Sequence, residues 1–247
     1  MFSSDPVSTA GIVVIGNEVL SGKVEEENAR YLTQGLRDLG VALMRVVFIR
    51  DEIDTIAKDV REMSEAYTHV FTSGGVGSTH DDLTFDAIAA AFGVGLEIHP
   101  ELDRALQAHY GERYDQATRR MALLPEGTEL LGLGELRYPV IKVRNVFVLP
   151  GVPSFLRLKF DYLRPRLRST PFALKQVFVS VGEDRIALLL KGVAEAHPEL
   201  EFGSYPRFDD ADHRVKITIE SKEPSRVEAG LVALLAQLPP DWVVRVE

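Results

Sequence analysis

The residues best suited to chemistry gather in TSGGVGSTHDDLT, residues 72–84. Gly74, Gly75 and Gly77 follow Ser73 at the end of a short apolar run, and their missing side chains let backbone N–H groups approach an anionic ligand. Ser78, Thr79 and Asp81 are placed to cap the helix that begins near Thr84, and a capped helix start attracts phosphate. The same residues also describe a tight strand-to-helix turn, and composition does not separate the two readings. Adjacent Asp81 and Asp82 cannot both cap, and a second carboxylate beside a phosphate loop repels the anion. A Mg²⁺ or another divalent cation removes that repulsion, because Mg²⁺ takes one or two carboxylates together with substrate phosphates. Asp51 lies at the same sheet edge and is equally placed to cap the helix over 52–66. Asp51 and Asp82 are therefore the candidate catalytic and metal-holding residues.

Two further glycine loops accompany this one. IVVIGNEVLSGK, residues 12–23, ends in Gly22-Lys23 but is not a P-loop: five residues separate Gly16 from Gly22, and Val24 follows the lysine. No GxGxxG is present, so a Rossmann turn is unsupported. Glu18 in this loop is either a solvated carboxylate or an acceptor for ligand N–H and O–H groups. In LPGVP, residues 149–153, Pro150 and Gly151 stand beside another strand end. The basic residues Arg157, Lys159, Arg164, Arg166 and Arg168 read as a solvated helix face, and the histidines lack metal-ligand spacing.

The elements that must position these loops alternate. The apolar run Ile12 to Ile15 suits a strand buried on both faces. Ala29, Leu32, Leu36 and Leu39 fall at helical spacing, with Gly40 as terminator. A strand over 41–49 follows, then a helix marked by Ile53, Ile56, Ala57, Val60 and Met63, a strand over 69–72, and a helix lined by Phe85, Ile88, Ala89 and Phe92. Such alternation means parallel pairing with right-handed crossovers, and its ligand site lies at the carboxyl ends of the strands. Leu102, Leu106 and ERYDQATRRMALL look helical, PEGTELLGLGE looks like a loop with a short strand, and 140–149 reads as a hairpin. Leu156, Phe160, Leu163 and Leu167 then form one apolar helical stripe. A boundary within Pro165 to Pro171 separates residues 1–170 from a βαββαβ unit over 171–247, the order of a small ferredoxin-like domain.

The 247 residues are 45% apolar and 26% charged with a net charge of −9. That balance is globular and argues against coating nucleic acid. Residues 172–247 carry nine Lys and Arg against thirteen Asp and Glu, and RVKITIES has no aromatic on which a base could stack, so an RNA role is not expected there. With no cysteine, disulfides and thiolate chemistry are excluded. No membrane-length apolar run and no secretory signal are visible, and a cytoplasmic location without membrane contact is expected.

Taken together, GNEVLSGKVEEENARYL, TSGGVGSTHDDLT and VFVLPGVP resemble the molybdopterin-binding, MoaB/Mog-type family. AGIVVIGNEVLSG, YPVIKVRNVFVLPGVP and LEFGSYPRF resemble the corresponding domain of eukaryotic FAD synthases and the N-terminal half of CinA proteins. The resemblance implies an α/β fold, a three-layer α/β/α sandwich with a mostly parallel sheet, followed by the small α+β domain. It implies a homo-oligomer, a trimer by analogy or else a dimer. Gly16, Glu18, Asp51, Gly74, Gly75, Gly77, Asp82, Pro150 and Gly151 occupy matching positions, with Gly22, Ser73, Ser78, Thr79, Asp81 and Thr84 in the same motifs. Ser78 replaces the family's usual proline, and Ser154-Phe155 stands where a glutamate commonly follows. The separate synthetase half has no counterpart here, so FAD synthesis is not expected. Two functions follow from the resemblance: binding of molybdopterin or a similar phosphorylated pterin or nucleotide, or metal-dependent hydrolysis of a dinucleotide such as FAD or ADP-ribose.

Overall fold

Strand β1 (Thr9–Ile15) is buried at every residue from Ala10 to Ile15 because helices cover both faces of its sheet. In the computed structural model, which describes residues 7–77, 82–207 and 212–247, the chain divides into two units, Met1–Ser169 and Thr170–Glu247.

In the first unit β1 is followed by a one-turn helix α1 (Asn17–Leu20), helix α2 (Asn28–Asp38), strand β2 (Ala42–Ile49), helix α3 (Ile53–Ala66), strand β3 (His69–Ser73) and helix α4 (Thr84–Phe92). Then come β4 (Leu96–Ile98), α5 (Pro100–Tyr110), α6 (Gln116–Arg120), β5 (Leu123–Pro125), β6 (Glu129–Leu131), β7 (Val140–Val143), β8 (Val146–Leu149) and α7 (Pro153–Leu167). The main sheet has the order β2-β1-β3-β8-β7-β6. Its first four strands are parallel, and β7 and β6 join antiparallel.

Strand alternation splits the core into two layers. Val13, Ile15, Val70, Val146 and Val148 pack toward α3 and α4, while Ile12, Val14, Phe71, Phe147 and Leu149 pack toward α2 and α7. The expected stripe Leu156, Phe160, Leu163 and Leu167 is fully inside, and α7 runs on through Pro165. The expected long helix over 112–124 is corrected. Only Gln116–Arg120 is α-helical, after a 3₁₀ turn at Gly111–Arg113, and Leu123–Pro125 is a strand paired antiparallel with β4. That pairing places Leu124 fully inside, a reward that propensity alone does not register.

The second unit runs β9 (Ala173–Val179), α8 (Glu183–Ala196), β10 (Glu201–Pro206), β11 (Val215–Ser221), α9 (Pro224–Gln237) and β12 (Val243–Val246). Its antiparallel sheet has the order β10-β11-β9-β12. Val177, Val179, Ile217 and Ile219 pack on Ile186, Val193, Val227, Leu231 and Leu234 of α8 and α9. This is the βαββαβ unit expected from the order of elements. No helix among the described residues is long and apolar enough to cross a membrane.

Candidate functional site

The four parallel strands deliver their carboxyl ends side by side: Ile49 of β2, Ile15 of β1, Ser73 of β3 and Leu149 of β8. The loops leaving these ends are fastened to one another. The N–H of Gly16 donates to the carbonyl of Ile49 at 3.1 Å, and that of Gly74 donates to Leu149 at 3.2 Å. Gly74 has φ +108 and Gly75 φ +62, conformations that only glycine adopts without strain. A Cβ on Gly74 would overlap the carbonyl oxygen of Ile15, and one on Gly151 would sit 3.4 Å from the Gly74 Cα. The first, second and third glycine loops therefore touch through backbone.

Polar side chains complete the fastening. Asp51 does not cap α3: the residue before that helix is Glu52, with no side-chain cap bond. Instead Asp51 Oδ2 accepts the backbone N–H of Asn17 at 2.8 Å, tying the end of β2 to the loop after β1. Thr84 is fully buried, its hydroxyl donating to the Gly74 carbonyl at 2.9 Å and its N–H to that of Gly75 at 3.0 Å. Asp82 Oδ1 accepts the N–H of Gly77 at 2.6 Å. Asp51 Oδ1 lies 3.5 Å from the Cβ position of Gly75, and Asp82 Oδ2 lies 2.6 Å from that of Gly77. Two carboxylates thus flank one glycine segment.

Glu18 folds back so that Oε1 lies 2.6 Å from the Cβ position of Gly16. Gly22, at φ +71, closes the turn after α1 by donating to Val19, with open space where a Cβ would go. It serves the turn. Pro150 is half-buried beside exposed Gly151. Ser78, Thr79 and Asp81 lie outside the described residues.

Sequence reasoning passed over Asn28. Its side-chain N–H₂ donates to Ser73 Oγ at 2.9 Å and to the Gly151 carbonyl at 2.7 Å, joining the second and third loops to the start of α2. It is only 6% exposed, and its Oδ1 has no partner among the described residues. Because a carbonyl accepts only, the Gly151 bond fixes which end of the amide faces it. The signal was present: Asn28 shares its stripe with Leu32 and Leu36 at i, i+4 and i+8, an amide on a buried face.

Lys159 also departs from expectation. It is not on a solvated face but 9% exposed, with Nζ donating to the carbonyls of Tyr138, at 3.0 Å, and Pro139. Burial pulls its pKa down to about 8, and burial pushes the Tyr138 hydroxyl above its ordinary value.

The comparisons with known proteins agree with this architecture. Residues 11–169 match the family described as a probable molybdopterin binding domain, and the chain belongs to that family. Residues 171–247 match the FAD synthase middle domain. A probable FAD synthase of Caenorhabditis briggsae is 32% identical over 255 residues, spanning 92% of this chain and 49% of that protein. A CinA-like protein of Thermotoga maritima is 31% identical, spanning 92% of this chain and 57% of that one. The chain thus spans about half the length of these curated relatives. The crystal structure of the protein CinA, with unknown function, from Thermoplasma acidophilum superposes with a TM-score of 0.59 at 25% identity, covering 66% of this chain and all of that one.

As for a cation, the described residues contain no group of three or more His, Asp or Glu side chains that could hold one unaided. The two carboxylates flanking Gly75–Gly77 are hard oxygen donors of the kind Mg²⁺ takes when substrate phosphates supply the remainder. In donor chemistry the residues fit a substrate-dependent cation.

Proposed function

We propose that the rim formed by Gly16, Glu18, Asp51, Ser73, Gly74, Gly75, Gly77, Asp82, Thr84 and Pro150-Gly151 binds the phosphate-bearing end of a pterin or nucleotide. The observation that carries this reading is the fastening of three glycine loops at the ends of four adjacent parallel strands, the position where open α/β sheets take ligands. The family of the first unit points to a molybdopterin-like compound, and the names of the FAD synthase relatives point to a dinucleotide. Both carry a fused heterocycle and phosphate. Isothermal calorimetry and thermal unfolding with a pterin phosphate, FAD, ADP-ribose and NAD test it. At least one should raise the unfolding midpoint and give saturable heat, and silence from all of them removes the reading.

A second reading is favoured by the two carboxylates beside Gly75–Gly77: hydrolysis of a dinucleotide. Water adds to one phosphorus, the bridging P–O bond breaks, and FAD yields AMP and FMN. Asp82 holds the glycine segment through the Gly77 N–H, Asp51 holds the neighbouring loop through the Asn17 N–H, and these two would be the residues to hold a divalent cation. Such an ion, when bound, neutralises phosphate oxygens and makes a water more acidic. Chromatography for AMP after incubation with Mg²⁺, Mn²⁺ or Co²⁺ tests this. Asp82→Asn should abolish turnover while keeping the fold, because the amide oxygen still accepts from Gly77. Unchanged turnover in that variant would leave Asp82 a purely structural residue.

A further inference from the structure

Part of the outer face of α8 and α9 is built unlike a solvated helix surface. Leu188 is 83% exposed and Val232 62% exposed. From Ala229 to Gln237, α9 has no charged side chain on any face, although Ala229, Val232 and Ala236 all face outward. Between the helices runs a groove of about 410 Å³, lined by Leu188, Gly192, Ala196, Ala233 and Ala236 together with His197 and Gln237. A surface helix ordinarily sets charge opposite its core-facing stripe, and the second half of α9 does not.

Gly192 adds an independent sign. It sits inside a 14-residue helix, where glycine is unfavourable relative to alanine. Beyond its chain neighbours and its own helix backbone, no described atom lies within 4 Å of the position its Cβ would take. Nothing among the described residues requires glycine there, so close approach of another backbone is its physical use.

The charges choose the occupant. Lys191 and Glu195 flank the stripe, both about 70% exposed and 3.7 Å apart. If a second α8 crosses antiparallel about a two-fold axis near Gly192, Leu188 of each copy falls over Ala196 of the other. Lys191 then lies within about 3 Å along the axis of Glu195 of the second copy, on the same side of the seam, where the long side chains can pair, and Glu195 stands likewise to its Lys191. A two-fold interface must be self-complementary in this way.

We propose that this face is where a second copy of the chain docks, α8 antiparallel to α8, with each Leu188 seated in the partner's groove.

Sedimentation equilibrium on the full chain provides the test, with circular dichroism and the thermal midpoint as controls for folding. Leu188→Glu should halve the mass of the assembled species at micromolar concentration with secondary structure unchanged. Lys191→Glu should weaken this association by about tenfold, since both symmetric pairs become repulsive. The double change Lys191→Glu with Glu195→Lys should restore it to within about threefold, because swapped charges still meet across the axis. A wild-type chain that stays monomeric overturns the proposal. So does a Leu188→Glu variant of undiminished mass, or a double variant that associates no better than Lys191→Glu alone.

Discussion

The rim of the first unit and the outer helix face of the second use glycine and polar side chains in opposite ways. At the rim, Gly74 is required by its own chain: its φ is +108 and a side chain would collide with Ile15. On α8, Gly192 has open space around it. Buried polar residues divide in the same sense. Asn28, Thr72, Ser73, Thr84 and Lys159 lie in the first unit, and His213 alone of the described buried polar residues lies in the second. A region dense in buried polar groups, most of them hydrogen-bonded, holds loops in a set geometry, which a ligand site needs. A region whose interior is nearly all apolar, and whose second helix is uncharged on its outer face from Ala229 to Gln237, directs its surplus outward.

The largest effect expected of this contrast is at Gly74. Gly74→Ala must displace the Ile15 carbonyl or flip the loop, and should lower stability by about 3 kcal/mol or more. Urea unfolding followed by circular dichroism measures it. A loss below about 1 kcal/mol would show a rim more pliable than its bonding indicates.

Lys159 tests whether the polar interior of the first unit is under electrostatic tension. Its folded pKa, about 8, is below the unfolded value of 10.5. Between those values the unfolded state binds more protons, so stability should rise with pH, by about 3 kcal/mol across the window. Below pH 8 both states are charged and the slope vanishes. Tyr138 acts oppositely: its hydroxyl is raised, so its contribution is lost once pH exceeds the ordinary tyrosine value near 10. Denaturation midpoints from pH 7 to 11 should therefore climb and then turn down, and Lys159→Met should remove the climb. An equal climb in that variant would place its origin elsewhere.

Asn28→Ala comes next, at about 2 kcal/mol, because it leaves the Gly151 carbonyl without its donor. The same denaturant titration reads it, and a rim-bound ligand should lose affinity along with the stability. A neutral substitution would mean that water replaces the amide.

Asn28 also marks where reading the sequence runs out. The layers of the first unit were legible because apolar runs such as Ile12 to Ile15 and stripes such as Leu156, Phe160, Leu163 and Leu167 follow the two backbone periods. The glycine loops were legible because few residues tolerate a positive φ. Fasteners between distant segments were not: Asp51 to Asn17 spans 34 residues and Asn28 to Gly151 spans 123, and no local pattern encodes a partner so far away. Asp51 looked like a helix cap because that role is local, and the tertiary bond won. The β4–β5 pairing failed to register for the same reason, since three-residue strands gain their stability from each other.

The smallest effect discriminates most sharply, because Gly192→Ala should act with opposite sign on folding and on association. In the Leu188→Glu background, which under this proposal keeps copies apart, the new methyl meets no described atom beyond its own helix backbone and chain neighbours. Alanine there restores helix propensity and should stabilise the chain by about 0.5–1 kcal/mol. In the native chain the same methyl stands at the proposed crossing of two α8 backbones and should weaken association while the fold gains. If Gly192→Ala stabilised the chain and left its assembly mass unchanged at every concentration, the open space beside Gly192 would be solvent and nothing more. The contrast with Gly74 would then rest on steric need alone.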